Sequence, residues 1–205
     1  WGSLGGQVAL EWAFLLGSKL ANAIVIAATA KTSPWVIGFN EAQRMAISAD
    51  TSWGQGHPDA GKKGLEAARA IAMLSYRNPL DLNAKQQEST EKLDGFLASS
   101  YLNYQGAKLA KRFQAFSYWT LTKSMDSHDM GRSRGGLESA LNGIYARVFA
   151  IGVNSDLLFL TEESKFISKM VPSGQYGEII STTGHDAFLI EFQQLSRLIQ
   201  KFYKS

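Results

Sequence analysis

No cysteine occurs among the 205 residues. That absence excludes a disulfide framework, a zinc–thiolate site and a cysteine nucleophile, and it fits a reducing compartment. Long apolar runs are also missing. The most apolar stretches, such as 21–30, are too short to span a bilayer, and no basic leader with a cleavage site precedes them. No membrane association is expected, and the expected setting is the cytoplasm. Charge of one sign is not concentrated either: the net charge is +3, with 19% charged residues. The short basic clusters, Lys62 with Lys63 and Lys108 with Lys111 and Arg112, sit in helical text and read as solvated faces. A nucleic-acid surface would gather its charge on one stripe, so no nucleic-acid partner is expected. Neither an internal repeat nor a low-complexity segment is found. What remains, with 45% hydrophobic residues, is an ordinary globular chain long enough to bury a core.

The pattern of apolar residues divides that chain. Residues 5–20 repeat at helical spacing, and AIVIAA at 23–28 is a continuous, β-branched apolar run of the kind that forms a strand buried on both faces. From about Ser33 to Leu141 the text is helical almost throughout. Ser33 followed by Pro34 marks a helix start, and the glycine-punctuated segment 52–61 reads as a loop. Strand, helix and strand return at 146–153, 161–170 and 176–181, and an amphipathic helix over 186–203 closes the chain. The expected class is α/β, with a core formed by 1–32 and 142–205 framing a helical insertion at 33–141.

The opening WGSLGGQVALEWAFLL puts a serine between glycines at the entrance to a helix. A nucleophile elbow has this form, with the hydroxyl pushed out of a tight strand-to-helix turn. A serine needs a base, and the base needs a carboxylate to orient it. Of the three histidines, His57 and His128 fall inside the helical stretch, whereas His185 follows a predicted strand and precedes the last helix. Asp156 follows the buried run FAIGV, at the carboxyl end of a strand, where catalytic groups of open α/β sheets gather. The order Ser3, Asp156, His185 is that of nucleophile, acid and base in α/β-hydrolases. Each has a plainer role open to it: Ser3 and Asp156 as helix caps, His185 as a loop histidine.

Read in order, GSLGGQVALEWA, GLEAARAIAMLSY, SYLNYQGAKLAKRF, SYWTLTKSMD, GVNSDLLF and GHDAFLIE resemble the homoserine O-acetyltransferase family of α/β-hydrolase fold enzymes. The likeness extends over essentially the whole chain. It implies an α/β-hydrolase fold, incomplete at the N-terminus, in which the helical insertion is a lid that also forms a homodimer interface. It further implies a ping-pong transfer: Ser3 takes the acetyl group of the co-substrate acetyl-CoA and passes it to the hydroxyl of L-homoserine, a step toward methionine, with no metal and no permanently bound cofactor. His185 would be the base and Asp156 its orienting acid. The backbone N–H of Leu4 would be one oxyanion donor. Arg69 would bind the amino-acid carboxylate, Tyr76 would assist it, and Asp186 would take the ammonium group. A guanidinium fork matches a carboxylate, and positions seven apart share one helix face, so these assignments are chemically consistent.

The sequence departs from the family pattern at several places. Trp1 stands where a glycine is usual before the elbow, Gln114 and Phe116 replace polar residues of a lid loop, and Leu160 replaces a proline. The early strands of the family's sheet, and the loop that supplies the second oxyanion donor, are not in these 205 residues, so a piece of a longer enzyme is expected, weakly active alone. A succinyl-CoA-dependent or serine-directed acyltransferase, a serine esterase and an inactive fragment remain open alternatives.

Overall fold

The computed structural model describes residues 1–204 as two compact units. The first is built from residues 1–32 and from His128 onward, the second from Ser33–Ser127.

The first unit is a parallel sheet with helices on both faces. Strands β1 (Asn22–Ile26), β2 (Arg147–Val153) and β3 (Gly174–Ile179) pair in that order, all parallel, with Ile24 opposite Phe149 and Ile151 opposite Gly177. The sheet extends past β1, because Gly2 bridges Ile26 in the parallel sense and the Trp1 carbonyl accepts the Ile26 N–H at 3.0 Å. Alternation along β2 divides the core. Val148 and Ala150 face α1 (Leu4–Leu16), α7 (Leu137–Asn142) and α8 (Thr161–Met170), through Leu10, Ala13, Leu141 and Ile167. Phe149, Ile151 and Val153 face α9 (Phe192–Lys204), where Phe149 stacks on Phe202 at 5.0 Å between ring centres.

The second unit holds α2 (Pro34–Ser48), α3 (Lys62–Tyr76), α4 (Pro79–Lys85), α5 (Leu97–Ala110) and α6 (Ala115–Asp126). Its starts are written in the sequence: Ser33 Oγ accepts the Val36 N–H and Asn78 accepts the Leu80 N–H, each followed by a proline at the first helical position. Ile47, Leu65, Ala68, Leu109 and Ala115 form its core, beneath the stacked rings of Trp53 and Trp119. Arg44 is buried on α2 and is held by Glu41 and by Asp126 at 2.6 Å, and Asn40 also donates to Asp126.

The division falls at Ser127, short of residue 141, where the change of sequence pattern put it. Met130, Ala140 and Leu141 pack into the core of the first unit, so apolar contacts rather than helical text set the boundary. His128 accordingly belongs to the first unit, with its Nδ1 3.8 Å from Glu11 of α1. Two short segments, Ala30–Thr32 and His128–Met130, run antiparallel. Thr32 N–H donates to the His128 carbonyl, Met130 N–H to the Ala30 carbonyl, and Lys31 pairs with Asp129 at 3.0 Å.

Candidate active site

The elbow is built by backbone first. Ser3 has φ 54° and ψ −128°, a left-handed conformation that L-residues adopt only when their surroundings enforce it. The enforcement is visible: its N–H donates to the Ile26 carbonyl at 2.9 Å, and its carbonyl accepts from Gly6 and Gln7 in the first turn of α1. Small residues on either side are required. A Cβ on Gly6 would stand 2.6 Å from the Cβ of Ala28, and one on Gly2 would meet the ring of Phe188 at 2.6 Å. Although Ser3 precedes α1, its side chain makes no capping bond, which removes the plainest alternative for this residue. Leu4 is the first helical residue, so its N–H has no acceptor within the helix.

Asp156 and His185 come together from two loops. Asp156 follows β2, and its Oδ1 accepts the N–H groups of Leu158 at 2.7 Å and Phe159 at 3.0 Å. Its Oδ2 lies 2.7 Å from His185 Nδ1, with both residues buried, at 4% and 3% exposure. An ionised carboxylate only accepts, so Nδ1 carries the proton and Nε2 is the basic nitrogen. The His185 loop is itself tied down. Gly184 N–H donates to Ser155 Oγ, and a 3₁₀ turn over His185–Leu189 replaces the first turns of the expected closing helix.

Phe188 in that turn makes an edge contact with the His185 ring at 5.5 Å, and the same ring sits against Gly2. It thus joins the histidine to the elbow, a role that nothing in its sequence position announces. On the other side Phe159 lies 5.4 Å from the His185 ring. Trp1 is 73% exposed. Leu160 caps α8 through its backbone alone.

The remaining candidates divide between the units. Asp186 is half-buried beside His185. Arg69 and Tyr76 lie on α3, and the guanidinium sits 5.2 Å from the centre of the Tyr76 ring, so the two do share one face. Gln114 precedes α6 and makes no side-chain cap.

A comparison with protein-family profiles gives no match for this chain. Curated proteins do match: a homoserine O-acetyltransferase of Cyclobacterium marinum is 61% identical over 202 residues, covering 98% of the chain and 58% of that protein. The chain belongs to the homoserine O-acetyltransferase family. It spans less than two thirds of the length of such relatives. Among solved structures, the homoserine O-acetyltransferase of Bacillus anthracis superposes with a TM-score of 0.89 at 18% identity, over 97% of this chain and 57% of that one. An acetylester hydrolase of Corynebacterium glutamicum superposes with a TM-score of 0.87 at 19% identity, over 100% of this chain and 60% of that one. These likenesses establish the α/β-hydrolase fold, of which the chain carries part.

Proposed function

We propose that the protein transfers an acetyl group from acetyl-CoA to the hydroxyl of L-homoserine, in two half-reactions through Ser3. In the first, Ser3 Oγ attacks the thioester carbonyl while His185 Nε2 takes its proton and delivers it to the departing thiolate. The negative charge on the carbonyl oxygen faces the Leu4 N–H at the start of α1. In the second, His185 takes the proton of the homoserine hydroxyl as that oxygen attacks acetyl-Ser3, then returns it to Ser3 Oγ. Asp156 keeps the imidazole in the required tautomer and stabilises its cation. Arg69 holds the amino-acid carboxylate with Tyr76 beside it, and Asp186 takes the ammonium group. The setting is amino-acid biosynthesis in the cytoplasm, toward methionine, in a homodimer formed through the helical unit. No described helix is long and apolar enough to cross a membrane.

One observation carries the reading: Ser3 holds a left-handed conformation with its hydroxyl uncommitted to a cap, and Phe188 ties that elbow to the buried His185–Asp156 pair. The test is an intact mass before and after exposure to acetyl-CoA alone. An acetyl adduct should appear, vanish on adding homoserine, and be absent from Ser3→Ala. An adduct that is lost as acetate without homoserine makes the protein an esterase. No adduct from acetyl-CoA or succinyl-CoA in the folded protein defeats the transferase reading.

A further inference from the structure

The loop that carries His185 is held by side chains rather than by the sheet. The β2–β3 ladder ends where the Asn154 N–H donates to the Ile179 carbonyl at 3.1 Å. Beyond that point three consecutive side chains of the acid loop take over. Asn154 Oδ1 accepts the Ser181 N–H at 2.8 Å, Ser155 Oγ accepts the Gly184 N–H at 3.0 Å, and Asp156 Oδ2 lies 2.7 Å from His185 Nδ1. The acid loop can serve as the frame because it is itself fixed. The Asp156 N–H donates to the Val153 carbonyl, and Asp156 Oδ1 accepts from Leu158 and Phe159.

Of the three bonds, the middle one governs the backbone in front of the base. The bond to Asp156 decides which ring nitrogen carries the proton, and Phe159 and Phe188 flank the ring. Where the ring comes to lie is then set by the chain that delivers it. Gly184, directly before His185, has φ 92° and ψ −152°, a region open in practice to glycine alone. Glycine reaches other conformations as readily, so its own preference does not hold it there. Two bonds do: its N–H donates to Ser155 Oγ, and its carbonyl accepts the Ala187 N–H at 3.0 Å in the 3₁₀ turn. Gly184 is buried, so removing the Ser155 hydroxyl leaves its N–H without that acceptor, at a cost the loop can relieve only by moving. His185 moves with it.

We propose that Ser155 is a positioning residue for His185: by accepting the Gly184 N–H it fixes the backbone that sets Nε2 for proton transfer at Ser3. This rests on the reading of His185 as the base, and adds to it a residue that acts through another. Ser155 lies inside GVNSDLLF, where only its neighbour Asp156 stands out as a candidate.

The test is the rate of Ser3 acetylation by acetyl-CoA alone, followed by intact mass in a rapid-quench series over a range of acetyl-CoA concentrations. Ser155→Ala should lower the maximal rate about 10- to 100-fold, the scale on which a catalytic group displaced by up to about 1 Å loses effect. The acetyl-CoA concentration that gives half the maximal rate should stay within about 2-fold. Ser155→Thr, which keeps the hydroxyl, should recover most of the loss. Gly184→Ala tests the same loop without touching residue 155 and should show a similar defect. The double variant should be little slower than either single one, because both changes release one loop. A role in stability alone would lower the melting temperature of Ser155→Ala while its folded fraction acetylates at the parent rate, and that result overturns the proposal. So does a Ser155→Thr variant that melts like the parent yet is as slow as Ser155→Ala. His185→Gln separates this proposal from the reading beneath it. If His185→Gln abolishes labelling and Ser155→Ala does not slow it, the base reading stands and the positioning role falls. If His185→Gln labels as fast as the parent, the base reading falls, and the positioning role with it.

Discussion

Glu163, third residue of α8, shows how the fold sets the charge of a side chain close to the candidate acid. Its Oε2 is buried without a hydrogen-bond partner. Burial is the largest influence on the carboxyl, the charges of Asp156 and Glu162 act in the same direction, and the Thr29 hydroxyl and the Leu160 N–H oppose them; the net result is a rise from 4.5 to about 7. In the unfolded chain the same carboxyl ionises at its ordinary value. Between these two values the native state therefore binds more protons than the unfolded state, and stability falls as pH rises, with the full penalty present above about 7. Glu163→Gln, a neutral isostere, should melt about 2 °C higher than the parent near pH 8, with the difference closing by about pH 5. An equal offset at both pH values would show that the carboxyl is not the cause. Residues of this kind mark the limit of what the sequence discloses. Asp156 and His185 stood out as candidates because each follows a strand, and strand ends in a parallel sheet converge on one edge; Ser3 stood out because it lies between glycines at the entrance to a helix. Phe188 and Glu163 act through neighbours that come close only in the folded chain, and no local pattern marks them.

The helices were legible where their ends carry chemistry and blurred where they do not. Helix α8 spans the range its amphipathic pattern gives, and α2 begins at its Ser-Pro signal. By contrast, the helical text of 89–113 folds as helix only from Leu97, because Gly95 takes a left-handed conformation, φ 64°, just before it. The close packing of α5 on α3 also depends on one residue. A Cβ on Gly106 would stand 2.5 Å from the Glu66 carbonyl oxygen, a backbone atom that cannot move aside without shifting a helix. Gly38, inside α2, has nothing within 4 Å of such a Cβ. Helix propensity alone favours alanine at both positions by about 1 kcal/mol. Gly38→Ala should therefore raise the melting temperature slightly. Gly106→Ala should lower it by about 4–8 °C, because overpacking against helix backbone, about 3 kcal/mol, outweighs the propensity gain. Thermal melts of the two variants side by side check this, and a rise in both would mean that α3 and α5 can move apart freely.

At the scale of the molecule, the proposed function divides chemistry and recognition between different stretches of chain. The elbow and the Asp156–His185 pair belong to the first unit, while Arg69 and Tyr76 lie within Ser33–Ser127. The composition of 33–141 revealed an insertion, but its end could not be read from helical pattern, since α7 is helical and yet packs with the sheet. The boundary at Ser127 carries a prediction. Thr32 and His128 are already paired by a backbone hydrogen bond in a short antiparallel ladder pinned by Lys31 and Asp129, and such a ladder can be closed by a two-residue Asn-Gly turn. Replacing 33–127 with that turn should leave a protein whose serine still reacts with a small activated acetyl ester, because the nucleophile, base and orienting acid all remain. Acetylation of homoserine should be lost, because the proposed amino-acid clamp is gone. Ester turnover and homoserine acetylation measured on the same folded preparation separate the two functions. If the shortened protein folds but its serine takes no acetyl group from the ester, then residues 33–127 contribute to the nucleophilic machinery itself, and the division of labour between the two units is wrong.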